Sequence, residues 1–273
     1  MFARKRARPT VERVRACSVG GDAVVWAVGD VHGQDDLFNT LLSLILTDLD
    51  KVADCRRTVV LLGDYIDRGL GSAKVLQRIL ALRSELSDMG VQLVTLMGNH
   101  EALLLQFIDQ PATGPDWMEI GGRETLLSYE VSVPSHLDAS GWDRASSELL
   151  QRLPLEHLAL LEELPLSHTQ GDYFFVHAGV RPGTPLQEQS AEDMMWIRDA
   201  FLRDTRPFDK IIVHGHTPVE DIHVDDRRIC LDTGAYATGV LSAMRLQGST
   251  QLVAQARRAR SRVRLDSRPL FGD

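Results

Sequence analysis

Cysteine is scarce: Cys17, Cys55 and Cys230 are the only three, odd in number and with no Cys-x-x-Cys spacing. That excludes a disulfide framework and fits a reducing compartment, and nothing in their surroundings marks a reactive thiol. Long apolar runs are missing too. The longest, such as Leu41 to Leu46 and Val91 to Met97, are far too short to span a bilayer. Residues 1–15 are basic but lack the apolar core of a secretory signal. No internal repeat and no low-complexity segment is present. These absences predict a cytoplasmic protein without a membrane partner.

The chain has 273 residues, 44% hydrophobic and 25% charged, as expected of soluble globular structure in one large domain or two small ones. Its net charge of -8 is unevenly spread. Residues 1–15 carry six Arg or Lys against one Glu, and residues 257–273 carry six Arg against two Asp. The segment between them is therefore more acidic than the whole. We expect the basic ends, 1–19 and 257–273, to be flexible solvated tails around one domain spanning 20–256. An acidic body argues against nucleic acid as a partner.

Val24 to Val28, Thr58 to Leu62 and Val91 to Met97 are continuous apolar runs, each ending at a glycine. Helical periodicity follows each one, over Leu37 to Leu49, Ser72 to Leu86 and Glu101 to Ile108. This alternation predicts βαβ units with strands buried on both faces. Residues 111–165 change character: leucines at helical spacing, interrupted by Pro115, Pro134 and Pro154, predict an inserted helical cap. Further strands are expected at Tyr173 to Val176, Lys210 to Val213, Arg228 to Leu231 and Val240 to Leu246, with a short last one over Leu252 to Ala256. The fold class is α/β, two packed mixed sheets flanked by helices.

Five short motifs follow apolar runs: Gly29-Asp30-Val31-His32-Gly33, Gly63-Asp64-Tyr65-Ile66-Asp67-Arg68-Gly69, Gly98-Asn99-His100-Glu101, His177-Ala178-Gly179 and Gly215-His216-Thr217. Ligands of such sheets bind beyond the carboxyl ends of the strands, so these turns can converge. Asp30, His32, Asp64, Asn99, His177 and His216 offer carboxylate, imidazole and amide donors suited to manganese, iron or zinc. A shared carboxylate, for which Asp64 is the candidate, would hold two cations against their mutual repulsion. Asn99 adds a neutral carbonyl oxygen. His100 is expected to point away from the metals and protonate a leaving oxygen, with Asp67 orienting its imidazole. Arg68 and Arg198 could grip phosphoryl oxygens in a bidentate manner. His136, His157, His168, His214 and His223 are read as ordinary structural histidines.

Taken in order, these five motifs resemble the calcineurin-like metallophosphoesterases, and more narrowly the phosphoprotein phosphatase branch marked by Gly-Asp-x-x-Asp-Arg-Gly and Gly-Asn-His-Glu. Trp196-Ile197-Arg198-Asp199 and Leu231-Asp232-Thr233-Gly234-Ala235 are similar to the bacterial and bacteriophage subgroup. The resemblance runs from about Val24 to Leu246. It implies a four-layer αββα sandwich, with one metal on Asp30, His32 and Asp64 and a second on Asp64, Asn99, His177 and His216. His100 would be the general acid with Asp67 behind it, and Arg68, Arg198 and Asn99 would contact substrate phosphate. Two divalent ions are implied, with manganese the leading expectation.

Two departures narrow the resemblance. Met97 replaces an arginine of eukaryotic relatives, so no eukaryotic-type regulatory subunit is expected. Pro218 stands where phosphodiesterase branches carry a second histidine, which favours phosphatase chemistry. The leading expectation is hydrolysis of phosphoserine or phosphothreonine in proteins, by direct attack of a hydroxide bridging the metals and without a phosphoenzyme. An alternative keeps this core and hydrolyses dinucleoside tetraphosphates. A third, a silent scaffold for phosphorylated partners, is disfavoured because no ligand and no acid is missing.

Overall fold

A computed structural model describes residues 11–135, 139–260 and 262–271. Eleven strands run in chain order: β1 Ala23–Val28, β2 Arg56–Leu61, β3 Gln92–Thr95, β4 Ser167–Gln170, β5 Tyr173–Val176, β6 Ile211–His214, β7 His223–Val224, β8 Arg228–Cys230, β9 Val240–Gln247, β10 Thr250–Ala259 and β11 Arg262–Pro269. They form a six-stranded sheet ordered β11-β10-β9-β1-β2-β3 and a five-stranded sheet ordered β4-β5-β6-β8-β7. The β1-β2-β3 and β5-β6-β8 stretches are parallel, and the flanking pairs are antiparallel.

The parallel strands read as unbroken apolar runs because both of their faces are covered. Ala23, Val25 and Ala27 of β1 point between the sheets, against a layer that includes Tyr173, Phe175, Ile211, Val213 and Ile229. Val24, Trp26 and Val28 point the other way, into a core completed by the helices Asp35–Lys51 and Ser72–Asp88. On the far side of the second sheet, Phe174, Val176 and Ile212 meet Met194 and Phe201 from two short helices and Ile197 between them. The result is the four-layer αββα sandwich, helices outside and two sheets within.

The cap is helical: Pro111–Thr113 forms a 3-10 turn, followed by helices Gly114–Glu119, Gly122–Ser128, Ala139–Arg152 and Leu155–Glu162. Trp117, Leu126, Trp142, Leu149 and Leu160 join Leu104 and Phe107 in the first core, so this segment is tied to the sandwich by apolar burial.

Both ends differ from the expectation of flexible tails. Residues 257–259 form the end of β10 and residues 262–269 form β11, an edge strand whose residues are largely exposed. Arginines of this hairpin pair with the acidic body, Arg258 with Asp36 at 2.5 Å and Arg268 with Asp221 at 2.7 Å, while Arg257 pairs with Asp266 across β10 and β11 at 3.4 Å. A charged, exposed edge strand has no buried alternation to betray it in sequence. At the other end, helix Glu12–Ala16 buries Val14, with Cys17 and Val19 beneath the second sheet. The remainder of the 1–19 expectation, residues 1–10, lies outside the described residues, as does His136.

Candidate active site

Each of the five motifs sits just beyond the carboxyl end of a strand. Asp30 and His32 follow β1, Asp64 follows β2, Asn99 and His100 follow β3, His177 follows β5, and Gly215-His216 follows β6. Three of these strands belong to one sheet and two to the other, so the site straddles both sheets at one end of the sandwich. All of these side chains are buried.

Among the described residues, seven non-glycine residues have positive φ, and five are candidate site residues: His32, Asp64, Asp67, Arg68 and His216. Such left-handed conformations cost free energy and concentrate where geometry is functionally imposed. Two glycines permit close approach: a Cβ on Gly98 would collide with Asp64, and one on Gly215 with Asp30 Oδ1.

Asp64 is the centre. Its carboxylate lies 3.5 Å from His32 Nε2, 3.3 Å from His177 Nε2 and 3.7 Å from His100 Nε2. Two donor sets share it: His32, Asp64 and His100, and Asp64, His177 and His216, each with donor atoms within 4.8 Å of one another. Burial raises the Asp64 carboxyl, but the surrounding His177, His100, His32 and His216 outweigh it and hold the group ionised below the usual range. Asn99 Oδ1 lies 3.0 Å from His177 Nε2 and 2.9 Å from His216 Nδ1, completing the second set.

The donor chemistry fits cations. His32 Nδ1 faces the Ile66 carbonyl at 2.9 Å, and His177 Nδ1 faces the Leu62 carbonyl at 2.9 Å. Donation of Nδ1–H to those carbonyls leaves each Nε2 lone pair aimed at the centre, the arrangement that orients metal-ligating imidazoles. Burial lowers His32 and His216 to about 3, and lowers His177 as well, so these rings are neutral at ordinary pH, the form in which imidazole can serve as a ligand. Asp30 Oδ2 accepts the His216 backbone N–H at 2.9 Å, while Oδ1 is buried with no donor from the protein when both Asp30 and its neighbour Asp232 are ionised. Burial and the charges of Asp232 and Asp64 push the Asp30 carboxyl well above the usual range. Uncompensated negative charge of this kind calls for a counter-ion.

Three placements refine the expectations. His100 does not point away: its Nε2 sits beside Asp64, because Nδ1 is anchored on Asp67 Oδ2 at 2.6 Å. Burial pulls the His100 pKa down, but the Asp64 charge and the Asp67 hydrogen bond overcome it, and the ring ends above the ordinary value. Asp30 lies outside the trio of His32, Asp64 and His100, drawn instead onto the His216 backbone. Arg198 reaches the site from an exposed position, its Nε donating to His216 Nε2 at 3.0 Å. Arg68 donates from Nε to the Ile120 carbonyl at 3.2 Å, and its guanidinium lies over the Tyr236 ring at 4.5 Å.

Sequence reasoning missed three residues that hold this constellation. Asp67 Oδ2 also accepts the Trp117 indole N–H at 2.8 Å, and Oδ1 accepts the Thr125 hydroxyl at 2.5 Å. Both partners come from the cap, about fifty positions away, with no local signal. Glu101 closes the Gly-Asn-His-Glu motif, and the sequence alone gives it no role. Its Oε2 accepts the backbone N–H groups of Asp64 and Gly98 at 2.9 and 3.0 Å, and Oε1 accepts those of Tyr65 and Ile66 at 2.7 and 3.3 Å. The remaining described histidines stay outside both sets: His214 pairs with Arg228, His157 with Tyr129, His168 with Gln170 and His223 with Asp225.

A four-layer sandwich with two donor sets sharing a carboxylate at its strand ends defines a metallophosphoesterase. The chain belongs to the calcineurin-like phosphoesterase family, whose model matches residues 23–243. It is 30% identical over 167 residues to a symmetrical bis(5'-nucleosyl)-tetraphosphatase of Acidovorax ebreus, covering 61% of this chain and 48% of that protein. It is similarly 30% identical to a zinc-dependent endopolyphosphatase of Saccharomyces cerevisiae, over 57% of this chain and 47% of that one. The chain thus spans just under half the length of these relatives. A further relative, the asymmetrical tetraphosphatase PrpE of Anoxybacillus flavithermus, is 24% identical over 80% of this chain and 88% of its own length. The crystal structure of a cold-active protein-tyrosine phosphatase from a Shewanella species shares the fold, with a TM-score of 0.54, 18% identity, and coverage of 90% of this chain and 82% of that one. Among the described residues, no helix is long and apolar enough to cross a membrane.

Proposed function

We propose that the chain is a dimetal phosphohydrolase acting on nucleotide anhydrides of the dinucleoside tetraphosphate class. The observation that carries the chemistry is the Asp64 carboxylate set between the buried imidazoles of His32 on one side and His177 and His216 on the other, with the His100–Asp67 pair beside it. The names of the tetraphosphatase relatives support the substrate class and favour this alternative over the protein-phosphatase expectation. Asp30, His32 and Asp64 would hold one ion, and Asp64, Asn99, His177 and His216 the other; manganese is the first metal to test, then zinc and iron. When bound, the ions supply Lewis-acid stabilisation of phosphoryl charge and lower the pKa of water held at the site.

The chain's own groups complete the chemistry. Asp67 accepts from three partners and so fixes the His100 ring, with Nδ1 committed to Asp67 and Nε2 facing the shared carboxylate. The proton on Nε2 is the one delivered to the departing phosphate oxygen. Arg68 and Arg198 bind phosphoryl oxygens and balance charge that builds as the bond to the leaving group lengthens. Were His216 to hold an ion through Nδ1, its ring proton would sit on Nε2, and the Arg198 guanidinium would lose that acceptor and be free for substrate.

A second reading, a phosphoserine and phosphothreonine phosphatase of the bacterial and bacteriophage branch, rests on the intact Asp67-Arg68-Gly69 turn and on Pro218. Chromatographic assay of diadenosine tetraphosphate beside a phosphoserine peptide, both with manganese, separates the two. Preference for the dinucleotide supports the proposal; preference for the peptide replaces it with the second reading. Metal-dependent release of nitrophenol from p-nitrophenyl phosphate eliminates a silent scaffold.

A further inference from the structure

Among the described residues only two aromatic side chains are exposed, Trp196 at 40% and Tyr236 at 38%. Each stands edge-on against a candidate metal-ligating imidazole. The Tyr236 and His32 rings lie 5.3 Å apart at 86°, and the Trp196 and His216 rings 6.2 Å apart at 82°. His32 belongs to one donor set and His216 to the other, so one open ring flanks each side of the shared Asp64. Each ring also stands beside a candidate phosphate ligand. Arg68 stacks on Tyr236, and Arg198, two residues from Trp196, bonds the same His216 that Trp196 touches.

Both rings stand on braced backbone. Tyr236 sits on helix Ala235–Thr238 between Gly234 and Gly239, both left-handed at φ 64° and 69°. Bonds from the Thr238 hydroxyl to the Thr233 carbonyl at 2.8 Å and from the Thr233 hydroxyl to the Val240 carbonyl at 2.7 Å close that turn. Trp196 ends helix Ala191–Trp196, whose start is capped by Ser190 and braced by the Arg181–Asp193 ion pair at 2.5 Å.

We infer that Tyr236 and Trp196 are base-stacking platforms, one on each side of the phosphate-binding centre, that select substrates carrying a planar nucleobase on either end of a phosphate chain. Base–aromatic stacking is sequence-tolerant because every base presents a π-face, and it is strong enough to set specificity. This inference rests on the nucleotide reading above for the identity of the substrate, and on the two rings alone for the mode of recognition.

The test measures inhibition of manganese-dependent p-nitrophenyl phosphate hydrolysis by diadenosine tetraphosphate and by inorganic tripolyphosphate, which has no base. It compares the full chain with Trp196→Ala, Tyr236→Ala, Trp196→Phe and Tyr236→Phe. In each alanine variant the ratio of the two inhibition constants shifts about tenfold against the dinucleotide, and the phenylalanine variants restore most of it. Unchanged ratios in both alanine variants overturn the inference, whether or not the dinucleotide is itself hydrolysed. An equal weakening of both inhibitors also overturns it, since that marks general damage to the site. Failure to hydrolyse the dinucleotide, with the ratio shift intact, contradicts only the preceding proposal.

Discussion

The Glu101 carboxylate lies directly behind Asp64: its Oε2 accepts the Asp64 backbone N–H at 2.9 Å, and with Oε1 it gathers four backbone donors from two motif loops. One buried side chain therefore fixes the loop after β2 to the loop after β3, and with them the shared ligand to Asn99 and His100. Glu101→Gln would turn a two-oxygen acceptor into a group that presents its own N–H to backbone donors. We expect destabilisation of about 3 kcal/mol or more, since buried unsatisfied polar groups cost about 1–3 kcal/mol each. Urea unfolding of the metal-free variant checks this, and an unchanged midpoint would deny Glu101 its structural role.

His100→Asn is expected to lower kcat while leaving metal content intact, because His100 is committed to Asp67 through Nδ1. The loss depends on the leaving group. A serine alkoxide departs poorly and needs the proton, whereas a nucleotide phosphate is a far better leaving group. The variant should lose about 100-fold or more on a phosphoserine peptide and distinctly less on a dinucleoside tetraphosphate. Equal losses on both substrates would argue against proton donation.

Trp117→Phe deletes one donor to the Asp67 carboxylate, and Thr125→Val deletes another together with an acceptor of the Asp67 backbone N–H. Both should reduce kcat by about tenfold with little change in KM, since their hydrogen bonds act on His100 through Asp67. The more informative readout is the pH profile: weaker support of Asp67 should move the limb assigned to His100, whereas simple loss of folded protein would leave its position unchanged.

Arg198→Ala removes an exposed guanidinium whose Nε donates to His216 Nε2 at 3.0 Å. Phosphate binding should weaken, lowering kcat/KM by about 100-fold. Metal affinity should hold or rise, because the donor competing for the His216 ring is gone. Isothermal titration with manganese decides, and a clear drop in affinity would contradict the reading of this contact.

Much of the fold was legible because burial on both sides leaves a plain mark. β1, β2, β5 and β6 appear in sequence as apolar runs, and the helices Asp35–Lys51 and Ser72–Asp88 as periodic ones. What escaped lies at edges and between distant segments. β4, spelled Ser-His-Thr-Gln, and the arginine-rich β11 are half-exposed or exposed, so neither shows an apolar pattern. The site's residues were readable from their Gly-flanked turns, yet their supports were not. Trp117 and Thr125 meet Asp67 only because the cap folds against the helix Ser72–Asp88 and the helix Asn99–Asp109, and the partners of Glu101 are backbone groups that any residue provides.

The shared carboxylate also predicts how the fold responds to metal. Asp30, Asp64 and Asp232 crowd together in a buried centre, and burial raises the Asp232 carboxyl to about 6. Divalent cations that bind only the folded state add about 4 kcal/mol at a thousandfold excess over Kd. Saturating manganese should therefore raise the melting temperature by about 10 °C over the chelator-treated protein. Differential scanning fluorimetry checks the shift, and none at all would mean that the centre binds no divalent ion.

The central claim is that Asp64 joins two metal sites into one hydrolytic centre. Elemental analysis of purified wild type and Asp64→Asn after manganese loading, paired with p-nitrophenyl phosphate hydrolysis on the same samples, tests it most directly. The account predicts two ions per wild-type chain, loss of affinity at both sites in the variant, and loss of hydrolysis with them. A variant that keeps both ions and its turnover would contradict it.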